Sequence, residues 1–142
     1  MSSAAASLYV RKGRGYITAM NRSVDGFWFE SEPIFVEDGA DLARLSFCIQ
    51  QALAASQTEL PAPRRGELGS RLPGLAGVKS FGAFMAGAVS VDISSDGERI
   101  KLTPMRNCGG RRGFEFKNEE AVIVEDGDGL ASGLATALAA AE

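Results

Sequence analysis

Between Ser7 and Val36, β-branched and aromatic residues are interrupted by Gly13, Gly15, Asp25 and Gly26, a pattern that predicts three short strands near 7–11, 15–20 and 26–31. Ile34 to Val36 adds a brief extended piece after Pro33. Proline gives no N–H to a sheet ladder, so that piece belongs at an edge or a bend. From Asp41 to Ser56 the period changes: Leu42, Leu45, Ile49, Ala52 and Leu53 fall on one face of a 3.6-residue helix, and Arg44, Gln51 and Ala55 fall elsewhere. Asp38 is the expected N-cap, and Asp41 in the first turn would sit favourably at the positive end of the helix dipole.

Residues 57–73 concentrate proline, glycine and charge, which predicts a solvated connection. Val78 to Ala86 reads as a short helix with Phe81, Phe84 and Met85 on one side, weakened by Gly82 and Gly87. A hairpin follows, in which Val89, Val91 and Ile93 alternate with Ser90, Asp92 and Ser94, Asp96-Gly97 turns the chain, and Ile100 and Leu102 alternate with Lys101 and Thr103. Phe114 and Phe116 resume the alternation, and residues 121–124 supply one more strand after a turn at Asn118. Leu130, Leu134 and Leu138 then mark a C-terminal helix, with Asp126 or Asp128 as its N-cap. Strands grouped apart from helices imply an α+β fold, a mainly antiparallel twisted sheet with a central helix and a C-terminal helix packed on it. The two halves of the chain each place strands before a helix, without a residue-level repeat, and residues 1–142 are expected to form a single domain.

Composition narrows the function. The 142 residues are 45% hydrophobic and 23% charged, ordinary values for a globular chain. Eighteen acidic residues against fifteen basic ones give a net charge of −3, the opposite of the footprint of a dedicated nucleic-acid binder. Cys48 and Cys108 could form one bridge at most, which fits free thiols in a reducing compartment better than an exported scaffold. Met1 to Ser7 lacks the apolar stretch of a signal peptide, and no uncharged apolar run approaches the roughly 18 residues of a membrane span. A cytoplasmic location without a membrane partner is expected.

The chain has no histidine, which removes the commonest general base and metal ligand and every Ser-His or Cys-His nucleophile. The two cysteines match no zinc spacing. Carboxylate pairs such as Glu30 with Glu32, or Glu119 with Glu120, occur by chance in any domain and read as solvated charge. Cys48 falls near the apolar face of its helix and reads as a small buried hydrophobe. Cys108 stands beside Arg106, Arg111 and Arg112 but has no base to activate it. The run Arg106 to Gly113 has the glycines and arginines of a phosphate loop but not the lysine or spacing, so it reads as a hairpin loop. Arg11 to Arg14 reads as a turn carrying solvated cations, or as half of an RNA-contacting patch. No catalytic residue, metal or cofactor is expected, and the chain is read as a non-enzyme.

Acidic residues are less evenly spread. Asp25, Glu30, Glu32, Glu37, Asp38 and Asp41 form one cluster, and Glu115, Glu119, Glu120, Glu125, Asp126 and Asp128 form a second that only Lys117 interrupts. Solvation and helix capping account for part of this pattern. The alternative is a face complementary to a cationic partner, with Asp25, Glu30, Glu32, Glu37, Asp38, Glu119, Glu120, Glu125 and Asp126 as the binding residues and Trp28 and Phe27 as apolar anchors.

Several segments, taken in order, carry a resemblance that spans most of the chain: Tyr9-Val10-Arg11; Gly26-Phe27-Trp28-Phe29-Glu30 with Glu32-Pro33; Gly77-Val78-Lys79-Ser80-Phe81; Pro104-Met105-Arg106-Asn107; and Gly113-Phe114. Together they resemble bacterial immunity proteins of contact-dependent growth inhibition systems. The resemblance implies an immunity-type α+β fold and, as partner, the C-terminal domain of a cognate toxin that is neutralised inside the cell. It transfers no contact residues, because such proteins vary most where they touch the toxin. The charge argument adds that the toxin is a basic nuclease. Against this stands a nucleic-acid-binding module built on Arg11, Lys12, Arg14, Arg106, Arg111 and Arg112, which requires the two basic loops to meet on one face.

Overall fold

The computed structural model describes residues 3–64, 69–110, 112–125 and 127–142. Strands β1 (Ala4–Arg11) and β2 (Arg14–Arg22) form a hairpin whose two-residue turn places Lys12 at φ 49° and Gly13 at φ 79°. A turn of this hand needs positive φ at both positions, and glycine supplies the second without a Cβ clash. β3 (Trp28–Asp38) follows β2 and leads to helix α1 (Leu42–Ala55). Short helices α2 (Leu72–Ala76) and α3 (Phe81–Met85) precede strands β4 (Val89–Ser95), β5 (Ile100–Asn107), β6 (Phe114–Phe116) and β7 (Val122–Val124), and helix α4 (Leu130–Ala140) ends the chain. Among the described residues this is an α+β fold of seven strands and four α-helices.

The sheet runs β3-β2-β1-β4-β5-β6, with β7 also paired to β5, and every pairing is antiparallel. β1 therefore lies in the interior, joined to the second half of the chain by the register Ala6↔Ile93 and Leu8↔Val91. Because side chains alternate along a strand, these pairs put Ala6, Leu8, Ile17, Ala19, Val91, Ile93 and Leu102 on one face. There they are fully buried against Leu45, Cys48, Ile49 and Ala52 of α1 and Leu130, Leu134 and Ala137 of α4. The central and C-terminal helices thus share this face, as their apolar stripes predict.

The second face is half covered. α2 and α3 lay Leu72 and Phe84 over Tyr16, with Tyr9, Ile34 and Phe81 packed around them. The Phe84 ring meets Tyr16 at 5.1 Å and Tyr9 at 5.5 Å, both edge to face, an arrangement favoured by the ring quadrupoles. Arg11 belongs to this cluster. Its side chain is buried and its guanidinium stands 5.6 Å from the Phe84 centroid, so the expected turn of solvated cations holds for Lys12 and Arg14 but not for Arg11.

Other boundaries differ from the sequence reading. The pieces expected at 26–31 and 34–36 are one eleven-residue strand, interrupted by a register shift opposite Thr18/Ala19 that absorbs Glu32 and Pro33. Thr18 Oγ1 fills the gap by donating to the Ser31 carbonyl at 2.8 Å. β3 is an edge strand, where a proline costs no interior ladder bond. Asp41, not Asp38, caps α1: its carboxylate accepts from the Arg44 N–H at 3.0 Å, while Asp38 accepts from Ala40 at 2.9 Å and tightens the preceding turn. Gly129, and not Asp128, occupies the N-cap position of α4 after a 3-10 turn, and Asp126 lies outside the described residues. The loop read across 57–73 gives way to α2 at Leu72, where Pro73 occupies the helix start that tolerates a missing N–H.

Candidate functional site

The acidic cluster of the first half runs along the β3 edge and its flanking turns. Asp25 lies exposed in the β2–β3 connection. Glu30 accepts from Ser70 Oγ at 2.8 Å and from the Arg71 N–H at 2.9 Å, fastening the segment before α2 to the edge strand. Glu32 pairs with the Arg71 guanidinium, and Glu37 pairs with Arg44 at 3.0 Å. Asp38 is exposed at the strand end, engaged only locally through Ala40. The second cluster sits at the opposite edge of the sheet. Glu119 and Glu120 occupy the 3-10 turn before β7, and exposed Glu125 follows β7. Lys117, nearly buried, gathers Glu120 at 2.8 Å, Glu142 at 3.3 Å and the Ala140 carbonyl at 2.7 Å. These partners hold the ammonium charged, with Glu120 the largest contributor. The sheet separates the two clusters, so they are two surfaces and not one face.

An apolar projection lies at the β2–β3 tip, beside the first cluster. Val24 and Phe27 are 68% and 51% exposed, and Phe27 stacks on Phe29 with centroids 6.4 Å apart. Ser23 shapes the tip: its N–H donates to the Phe27 carbonyl at 2.8 Å, and its Oγ accepts from the Phe27 N–H at 3.2 Å. Leu60 braces it from outside through a bridge to Ser23. Of the two expected anchors, Phe27 is presented to solvent, while Trp28 is half-buried with the Arg22 guanidinium 5.9 Å from its ring. Val24 escaped the sequence reading because a single valine in a turn carries no periodicity.

The two basic loops do lie at one end of the sheet, since the β1–β2 turn and the loop after β5 both extend beyond the Val10↔Val89 level. They do not make a clean basic patch. Arg11 is buried, Arg106 pairs with Glu142 at 3.1 Å, and Arg111 lies outside the described residues. Lys12 and Arg14 border a shallow groove with Glu37 and Asp38. Cys48 is buried, and burial followed by the neighbouring Glu37 carboxylate pushes its thiol up, away from the reactive thiolate. Among the described residues no group of His, Cys, Asp and Glu is arranged to hold a metal ion, and no helix is long and apolar enough to cross a membrane.

No protein-family model matches the chain, and no curated protein matches it. Two solved structures share its fold over nearly the whole length. One is a protein of unknown function from Neisseria meningitidis, with a TM-score of 0.79 at 18% identity over 99% of this chain and 96% of that one. The other is a chain of the CdiA-CT/CdiI toxin and immunity complex from Yersinia pseudotuberculosis, with a TM-score of 0.77 at 19% identity over 100% of this chain and 99% of that one.

Proposed function

We propose that this protein is an immunity protein that binds the toxic C-terminal domain of a contact-dependent growth inhibition system in the cytoplasm and holds it inactive. The observation that carries the reading is the end-to-end likeness of fold to a chain of a toxin and immunity complex, with neither chain left substantially unmatched. The surface fits an interaction role. Val24 and Phe27 project as apolar anchors, and exposed Asp25 between them gives the tip a negative charge. Interfaces of this design take most of their affinity from a few buried aromatic or aliphatic side chains, while charges at the rim chiefly speed association. A negative tip suits a positively charged toxin surface, as a nuclease that handles a polyanion carries.

The test pairs the protein with the toxin domain encoded beside it. Co-expression should restore growth to cells carrying the toxin, and the two chains should co-purify. Phe27→Ala and Val24→Asp should each weaken the complex by roughly tenfold to a hundredfold, or about 1.5 to 3 kcal/mol, without changing the fold. Protection that survives both substitutions at full affinity would move the interface elsewhere, and absence of any protection would end the immunity reading.

A further inference from the structure

The half of the second sheet face that α2 and α3 leave bare contains a recess of about 420 Å³ unrelated to either acidic cluster. Small residues line it, among them Ser3, Ala4, Ser94 and Ser95, where neighbouring β1 and β4 run in register through Ala4↔Ser95. Trp28 lines it on the β3 side and Ile123, 58% exposed, lines it on the β7 side. Arg99 and Lys101 stand in the wall between, and the Arg22 guanidinium is held over the Trp28 ring at 5.9 Å. None of these three cations forms a salt bridge among the described residues. Asp96 is the one carboxylate of the lining, and its Oδ1 is turned into its own hairpin, accepting from Glu98 at 2.9 Å and Arg99 at 2.8 Å.

We infer that this recess binds a nucleoside monophosphate, its base against Trp28 and its phosphate against Arg99 and Lys101. Each part has a physical reason. Arg22 covers one face of the Trp28 indole, so a flat aromatic ligand stacks on the other, and any base presents the required face. Arg99 and Lys101, which form no salt bridge among the described residues but lie near the Asp96 and Asp92 carboxylates, supply charge-assisted bonds to phosphate oxygens, with serine hydroxyls as further donors. The volume lies within the range of small-molecule sites and accommodates one nucleotide. A longer nucleic acid is disfavoured, because the chain carries a net charge of −3 and a strand leaving the recess would meet the acidic residues at both sheet edges. An acidic peptide shares the anion but makes less use of the indole.

Trp28 is the chain's one tryptophan, so its fluorescence reports the recess directly. The isolated protein is titrated with AMP, UMP, adenosine, inorganic phosphate and a hexanucleotide RNA in low salt. Saturable quenching by AMP and UMP is expected, with adenosine and phosphate each roughly tenfold weaker. Lys101→Glu and the exposed-turn variant Arg99→Gln should each weaken AMP binding several-fold while leaving binding of adenosine unchanged. Circular dichroism confirms that each variant is folded, and Arg99→Gln keeps the test open if Lys101→Glu is not. No saturable signal from either nucleotide would overturn the proposal. So would AMP affinities unmoved by both variants, or RNA binding more than tenfold tighter than its mononucleotide. Because no toxin is present, none of these outcomes depends on the immunity reading.

Discussion

Asp92 is a half-buried carboxylate on the second sheet face, opposite Ser7 and Thr103 in the two neighbouring ladders. Burial pushes it up to about 6 from an ordinary 3.8, and Lys101 only partly offsets the shift. The unfolded chain ionises first as pH rises, so the folded state holds more protons between those values and loses stability through that interval. The loss is complete above pH 6 and amounts to at most about 3 kcal/mol. Asp92→Asn should therefore raise the urea midpoint at pH 8 and leave it nearly unchanged at pH 4. An equal gain at both would mean that the carboxylate is not desolvated. Asp92 was readable in the sequence as the polar member of an alternating strand, but its environment was not. That depends on which strands flank it and on which half of the face the short helices cover. Arg11 misled for the same reason: in a turn-forming run it resembles its solvated neighbours, and only the aromatic cluster supplied by residues 81–84 shows where its stem is buried.

At the scale of elements, α1, the hairpin of β4 and β5, and α4 were legible because a strong period and defined turns or caps agreed with the tertiary packing. β3 was read as two pieces because Pro33 breaks its alternation at the point where the register shifts. α2 was hidden because Leu-Pro-Gly-Leu-Ala has a loop composition, and its helix is held by the contact of Leu72 with Tyr16 and Phe84. The seat of α4 rests on Gly133. A Cβ built there would lie 2.7 Å from Val124 Cγ1 and 3.2 Å from Leu102 Cδ1, so the helix lies against β5 and β7 at a distance that only glycine permits. Alanine would gain about 1 kcal/mol of helix preference, but overpacking at this contact costs typically 1 to 3 kcal/mol. Gly133→Ala should lower the thermal midpoint despite its gain in helix preference. A raised midpoint would show that α4 can lift from the sheet cheaply.

Across the whole molecule, the acidic residues group by sequence neighbourhood, but the strand order sends the two groups to opposite edges. The sequence could show that clusters existed. It could not show that Glu30, Glu32 and Glu37 hold Ser70, Arg71 and Arg44, because those partners come from other elements. Of the nine residues expected to bind a partner, Asp25, Glu119 and Glu125 are exposed and make no side-chain bond among the described residues. They are the clean places to test steering. If the β2–β3 tip is the contact, Asp25→Lys should slow association with the toxin by several-fold at low salt and flatten its salt dependence, while Glu119→Lys at the far edge should do neither. Equal slowing by both would mean that overall charge, and not one rim, guides the encounter.

The interior position of β1 has a further consequence. One border of the earliest strand in the chain is closed at once by β2, but the other waits for β4, 87 residues later in the register Ala6↔Ile93. Everything between folds around an open seam. Cutting the chain in the 57–63 connection would leave one piece with β1, β2, β3 and α1 and another with the remaining strands and α4, each exposing half of that seam. Such pieces would be mutual templates, so the joint that completes the native sheet is also where the protein could be divided into halves that restore each other.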